Sequence, residues 1–392
     1  MYPLASNSWD NEEVEVALQV LKSGHLTMGR EVYEFERQFA EFLGSRYAVM
    51  FNSGSSANLA MLNSLRYVKD NRLSEGDQVL VPAVSWSTTF YPVFQSGLIL
   101  DFVDIDLKTL NIDTQAIVER INTKTKAIFA VNLLGNPANL IELEKIAQDH
   151  NLILLEDNCE SLGASINGRK TGTFGKMSSH SFFFSHHICT MEGGMVATSS
   201  KLHMETLVSL RSHGWTRELE KNNSVYPKSN NEWEDLYRFV LPGYNLRPLE
   251  ISGAIGKVQL NKFPKFLEIR RKNAEYFTKL FSDSSNFLIQ NENDKSSWFA
   301  FSIVLVNKLI GKRDLLIRYL SANGIETRPI VAGNFTLNPV LTHLKYVPIN
   351  SLRNSNFIHE NGFYLGNHIL DVQEDLKNIF KLLTIFEEAN LK

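Results

Sequence analysis

KAIFAVNLLGNPANLIELEKIAQDHNLILLEDNC, residues 126–159, contains one complete strand–helix–strand unit. KAIFAVNLLG (126–135) is an apolar run of strand length. IELEKIAQDH (141–150) spaces its apolar positions as a helix does, and LILLEDNC (152–159) is a strand again. Strands that are apolar on both faces and joined through a helix belong to a parallel sheet covered on both sides. The same alternation extends toward the N-terminus. YAVMF (47–51), QVLVP (78–82) and LILDFVDID (98–106) read as strands. Between and before them, 15–22, 31–43 (with Val32, Phe35, Phe39 and Phe42 on one face), Ala57–Tyr67 and Ser87–Gln95 read as helices.

Downstream, SHSFFFS (179–185) and GGMVATS (193–199) read as two further strands. After the turn LPGYNLRP (241–248) the pattern changes. A long charged helix near 251–281 leads into the strand WFAFSIVLV (298–306) and the helix RDLLIRYLSANG (313–324). The expected division is a large α/β domain over 1–245 and a smaller α+β domain over 246–392. The polar segment 217–235 is expected to be a long surface loop or lid.

Composition excludes several classes. The chain has 392 residues, with 40 Lys+Arg against 43 Asp+Glu and a net charge of −3, so it lacks the basic excess of a general nucleic-acid binder. Its two cysteines, Cys159 and Cys189, are too few for a disulfide scaffold, a four-thiolate iron–sulfur cluster or an all-cysteine zinc site. No metal site is expected. No apolar run approaches the ~20 residues that cross a bilayer. The acidic start MYPLASNSWDNEEVEV lacks the layout of a signal peptide, so a soluble cytoplasmic protein is expected.

Three short blocks could carry chemistry. In NSGSSAN (52–58) a strand runs into Gly54, Ser55 and Ser56 before a helix. Small residues there let an anion approach the helix N-terminus, although an ordinary capped turn uses the same letters. LLEDNCES (154–161) places Glu156 and Asp157 at the C-terminal end of a strand, where open α/β sheets bind ligands. A carboxylate there can hold a proton on a cofactor ring nitrogen, and a helix cap or ion pair is the plainer alternative. In PAVSWSTT (82–89), Trp86 follows a strand end and can either stack on a flat ring or pack in the core.

A fourth block, SFFFSHHICTMEGGMV (181–196), joins these. In order and near-spacing, the four blocks resemble the pyridoxal-phosphate sugar aminotransferases of the DegT/DnrJ/EryC1/StrS family, and the resemblance spans essentially the whole chain. It implies the type I aspartate aminotransferase fold, with a mostly parallel seven-stranded sheet between helices. It also implies a homodimer with interface active sites, and nucleotide-linked 4-keto-6-deoxy sugars as substrates. Family aminotransferases carry a lysine in this block that bonds the cofactor aldehyde and moves protons. Aligned on Ser181 and on Thr190–Glu192–Gly193–Gly194, that position holds His186. An imidazole cannot make the covalent link but can still move protons. The cofactor, pyridoxal 5'-phosphate or pyridoxamine 5'-phosphate, is therefore expected to sit noncovalently.

Within the family this replacement resembles the sugar 3-dehydratase branch. Too few cysteines for a cluster points to the kind that takes its amino group from L-glutamate, acts on GDP-4-keto-6-deoxy-D-mannose and serves colitose-type O-antigen sugars. The resemblance assigns proton transfer to His186, with His187 one residue away as the alternative. It assigns the ring N–H to Asp157, ring stacking to Trp86 and the ring hydroxyl or a polar neighbour to Glu160. Phosphate binding falls to Gly54, Ser55 and Ser181, with Asn245 reaching from the partner subunit. His213, Arg217 and Arg247 are expected at the glutamate carboxylates or the sugar-nucleotide diphosphate, where a guanidinium fork matches paired oxygens. The alternatives are a reductase-dependent dehydratase, an aminotransferase on another nucleotide sugar and a catalytically silent cofactor-binding relative.

Overall fold

The computed structural model describes residues 1–69 and 72–391. Strand β1 is Tyr47–Phe51, β2 Gln78–Pro82, β3 Ile99–Val103, β4 Thr125–Val131 and β5 Ile153–Asp157. A small ribbon pairs β6 (Ser165–Ile166) with β7 (Arg169–Lys170), and β8 (Met177–Ser181) and β9 (Gly194–Thr198) come next in the chain. Among the described residues, seven strands form one sheet in the order β1-β9-β8-β5-β4-β2-β3. β9 runs antiparallel to β1 and β8, while the remaining neighbours pair in parallel.

Side chains alternate across a strand, so a sheet covered on both faces must be apolar at both parities. Val79, Val81, Ala127, Phe129, Ile153 and Leu155 enter one core, with the helices Gly54–Ser64 and Ser87–Gln95 supplying Ala57, Met61, Phe90 and Val93. Leu80, Ile128, Ala130 and Leu154 enter the opposite core, against Ile117, Leu140 and Leu143. The same parity splits the two carboxylates at the end of β5. Asp157 falls on the side of Ile153 and Leu155, and Glu156 on the side of Leu154.

The strand expected over 179–185 ends at Ser181, the last residue that pairs with β9. Phe182 keeps one bond to the Gly193 carbonyl, and the chain then leaves the sheet. Phe183 and Phe184 are exposed, so the apolar run SFFFS reflects a loop beyond the end of β8, not strand burial. The helix expected from Ala57 starts at Gly54, because the Ser53 hydroxyl accepts from the Ser56 amide at 3.1 Å and caps it there. Segment 217–231 is irregular and leads into a four-residue helix, Glu232–Asp235.

Strands β10 (Phe287–Ile289), β11 (Ala300–Leu305) and β12 (Gly362–Gly366) form a three-stranded antiparallel sheet. The helix Glu250–Phe281 serves two cores. Leu260, Phe263 and Phe266 pack with Phe35, Phe39 and Phe182, while Ala274, Phe277 and Phe281 pack under the small sheet with Tyr2. No described helix is long and apolar enough to cross a membrane.

Candidate active site

The end of β5 separates two adjacent carboxylates. Glu156 is fully buried and accepts the amides of Gly172, Phe174 and Gly175, each at 2.7 Å. Burial raises its pKa, and those amides oppose the rise. It stitches the neighbouring turn to the sheet. Asp157, on the other face, is 6% exposed and accepts from Asn58 Nδ2 at 2.9 Å, Thr89 Oγ1 at 2.8 Å and the Cys159 amide at 3.2 Å. The Ser85 hydroxyl supports Thr89 at 2.8 Å. Three donors thus converge on one carboxyl at the mouth of the sheet.

Beside it lies the start of the helix Gly54–Ser64. The first amides of a helix have no intrahelical acceptor, and the helix dipole favours an anion there. A Cβ on Gly54 would lie 2.6 Å from Ser181 Cβ and 3.2 Å from Cys159 Sγ, so only glycine lets this turn sit against β8. A Cβ on Gly194 would meet the Ser53 carbonyl at 2.2 Å, which accounts for the second glycine of the EGG block. Ser55 donates to Thr88, hydroxyl to hydroxyl, at 3.1 Å. Gly54, Ser55 and Ser181 therefore form one small polar cup. Trp86 stands just before the helix Ser87–Gln95 and is 58% exposed, at the mouth and outside the core.

The two histidines face different surroundings. His186 Nδ1 lies 3.0 Å from the Cys159 carbonyl. A carbonyl only accepts, so Nδ1 carries the proton and the neutral ring keeps its lone pair on Nε2. Phe299 packs against the ring at 5.2 Å. Burial lowers the His186 pKa to about 4, opposed by the Cys159 carbonyl and Asp157, so the imidazole is neutral at pH 7. His187 is buried between Phe263 and Phe299, with Nε2 3.2 Å from the Ser297 carbonyl. Burial and then Arg270 hold its pKa well below the ordinary value. The Cys159 thiol is pushed up by burial and by Asp157, which leaves its backbone carbonyl as the part of the residue that meets His186.

Glu160 accepts the Leu134 amide at 2.9 Å. Burial, with Asp157 adding to it, raises its carboxyl to about 7. A carboxyl whose folded pKa lies above its ordinary value of 4.5 stabilises the fold fully below that value. The contribution disappears as pH rises through about 7. Removing the titration by Glu160→Gln should therefore reduce the fall in Tm between pH 5 and pH 8, measured by thermal unfolding of the cofactor-free chain. Parallel pH profiles for the two proteins would count against this.

The remaining predicted residues form a second group. His213 adopts φ 61°, and its amide donates to the Tyr244 carbonyl at 2.6 Å. Its Nε2 lies 3.5 Å from Arg247 Nη2, and Arg247 Nε donates to Asn245 Oδ1 at 3.0 Å. Arg217 and Arg247 flank the Trp215 ring at 5.6 and 6.0 Å. The group adjoins the Gly54 turn through the Asn52 amide, which donates to the Leu246 carbonyl at 3.0 Å. Within the chain, then, Asn245 is engaged with Arg247 and not with Ser181.

Sequence reasoning missed Asn58 and Thr89, although both lie inside the blocks it singled out. A helix brings Asn58 one turn past Gly54 and Thr89 one turn past Trp86, toward the same carboxylate. Phe299 is over a hundred residues from His186, and nothing local announces it.

The sequence model of the DegT/DnrJ/EryC1/StrS aminotransferase family matches residues 7–384. Over 384 residues the chain is 48% identical to GDP-4-keto-6-deoxy-D-mannose 3-dehydratase of Escherichia coli O55:H7 (strain CB9615 / EPEC), covering 97% of this chain and 99% of that protein. A crystal structure of GDP-4-keto-6-deoxymannose-3-dehydratase with a trapped PLP-glutamate geminal diamine superposes with a TM-score of 0.96 at 48% identity, covering 98% of this chain and 100% of the other. A histidine-to-asparagine mutant of an enzyme of that name with bound GDP-perosamine gives a TM-score of 0.95 at 48% identity, with coverage of 98% and 100%.

Proposed function

Because the chain belongs to the DegT/DnrJ/EryC1/StrS aminotransferase family, we propose that it is a pyridoxal-phosphate-dependent sugar 3-dehydratase. It removes the C3 hydroxyl of a nucleotide-linked 4-keto-6-deoxyhexose, GDP-4-keto-6-deoxy-D-mannose, with L-glutamate as amino donor. The observation that carries the reading is the neutral His186 imidazole, hung from the Cys159 carbonyl beside Asp157, at the position where family aminotransferases keep a lysine.

The residues fit the coenzyme. A cup at a helix N-terminus, too tight for any Cβ at Gly54, suits its phosphate. A carboxyl held by three donors, Asp157, suits its pyridinium N–H. An exposed indole, Trp86, suits its flat ring. When bound, the coenzyme supplies an electron-withdrawing ring and an exchangeable amino group. Asp157 keeps that ring protonated, and His186 Nε2 accepts and returns a proton. His213, Arg217 and Arg247 hold the carboxylates of glutamate or the diphosphate of the sugar nucleotide. Glu160, which accepts the Leu134 amide, is assigned to the ring hydroxyl or a neighbouring polar group.

Trp86 and, on the loop that carries His186, Phe183, Phe184 and Met191 are all large, apolar and exposed. This supports a homodimer in which a second copy covers the site and Asn245 completes the phosphate cup across the interface. The setting is the cytoplasmic synthesis of colitose-type sugars for O-antigen lipopolysaccharide. An aminotransferase reading is disfavoured, because an imidazole cannot hold the coenzyme covalently.

Holoenzyme given GDP-4-keto-6-deoxy-D-mannose and L-glutamate, with no reductase, is expected to form the 3,6-dideoxy-4-keto sugar. One ammonia and one 2-oxoglutarate should be released per turnover, the oxidation of glutamate balancing loss of the hydroxyl. Mass spectrometry and NMR identify the product. A 4-amino sugar, or turnover only with an added reductase, would overturn the proposal.

A further inference from the structure

The loop that carries His186 leaves the sheet at Ser181 and re-enters at Gly194. Its base is closed by Phe182, whose amide donates to the Gly193 carbonyl and whose carbonyl accepts the Thr190 amide, each at 2.9 Å. The stretch from Phe183 to Cys189 projects beyond that closure. A group that must hand over a proton has to be held within about 0.5 Å of its working position, so such a loop needs outside support.

Part of it comes from the His186–Cys159 and His187–Ser297 contacts, and two residues remote in sequence add a clamp at Cys189. The Trp9 indole Nε1 donates to the Cys189 carbonyl at 3.0 Å. The Cys189 amide donates to Gln259 Oε1, also at 3.0 Å. Gln259 is fully buried, and both ends of its side-chain amide are used. Oε1 also accepts from Ser8 Oγ at 2.8 Å, and Nε2 donates to the Ser8 carbonyl at 3.1 Å and to Glu13 Oε1 at 2.7 Å. That leaves a single satisfied orientation for the amide. Glu13 is itself fully buried and accepts from Lys262 Nζ at 2.9 Å and from the Asp10 amide at 2.9 Å. The N-terminal segment 8–13 is thereby fastened to the long helix, and the two together grip both backbone groups of one loop residue.

We propose that Trp9 and Gln259 are positioning residues for His186, acting through the Cys189 backbone. The proposal rests on the reading of His186 as the proton carrier. Neither residue needs to touch substrate or coenzyme. Their effect is to fix the end of the loop three residues beyond the imidazole, while the Cys159 carbonyl fixes the ring itself.

Trp9→Phe deletes one N–H donor and keeps an aromatic ring, and Gln259→Leu deletes the opposite acceptor. In the holoenzyme each is expected to lower kcat about 10-fold, with KM for both substrates changed less than about twofold, as misplacement of a catalytic group does. Hydrogen exchange of the Cys189 amide in the cofactor-free chain should accelerate in Trp9→Phe, while Tm stays within a few degrees of the parent. In a His186→Asn background, Trp9→Phe should leave the residual rate unchanged, because the group it positions is gone. Wild-type kcat in Trp9→Phe, or an equal fractional loss in both backgrounds, would overturn the clamp alone. Full activity of His186→Asn by itself would overturn the proton-carrier reading beneath it.

Discussion

His186→Lys is expected to abolish sugar deoxygenation, with kcat falling by ~10³-fold or more, since a positioned acid–base group contributes roughly 10²–10⁴-fold. Two effects act together. The proposed proton carrier changes from an imidazole whose free Nε2 is neutral at pH 7 to an amine that is ordinarily protonated there. The new amine also occupies the one position from which family relatives bond the coenzyme aldehyde, so coenzyme and protein become covalently joined. Borohydride reduction and then intact-mass measurement are expected to show the added coenzyme mass on the variant and not on the parent. Substantial dehydratase turnover by this variant, or covalent trapping in the parent, would defeat the assignment of His186.

Asp157→Asn has the next largest expected effect. Asp157 Oδ2 accepts from both Asn58 and Thr89, and Oδ1 accepts from the Cys159 amide. A carboxamide has one acceptor oxygen, so its NH₂ must face either the Cys159 amide or the two donors on the other side. The first arrangement loses one hydrogen bond and the second loses two. A buried donor left unpaired costs about 1–3 kcal/mol, and a loss of folding stability of that size, read as a lowered Tm, is expected in the cofactor-free chain. The functional loss is larger. Without a negative charge nothing favours the protonated ring nitrogen, and kcat is expected to fall ~10²–10³-fold, in line with removal of one preorganised electrostatic partner. Near-wild-type kcat with lowered Tm would confine Asp157 to a structural role. Asp157→Ala, which strands all three donors, should be less stable again.

The parallel sheet is legible because its strands are too short and too uniformly apolar to be anything else once helices separate them. YAVMF, QVLVP and Ser87–Gln95 are bounded in the structure as their letters suggest. SFFFS misleads, because apolarity there does not mean burial in a strand. Three phenylalanines in a row do not reveal that only the first is buried and that the chain has already left the sheet. The same stretch holds the most specific functional signal, the histidine pair, but spacing separates His186 from His187 only by alignment on both flanks. Their surroundings differ: one ring hangs from the Cys159 carbonyl near Asp157, the other from the Ser297 carbonyl between two phenylalanines.

Local sequence determined the alternation of strands and helices, the glycine turn at a helix start, the carboxylate at a strand end and the absence of an amine in the SHH block. Each depends on a few consecutive residues, through side-chain parity, capping or residue type. Only the tertiary structure decided that Asn58 and Thr89 meet at Asp157, that Phe299 walls His186, and that Trp9 and Gln259 hold Cys189 from opposite sides. Those contacts join segments tens to hundreds of residues apart. The hydrogen-bond partner of a buried group is fixed by packing of whole elements, and the letters around it do not encode that packing.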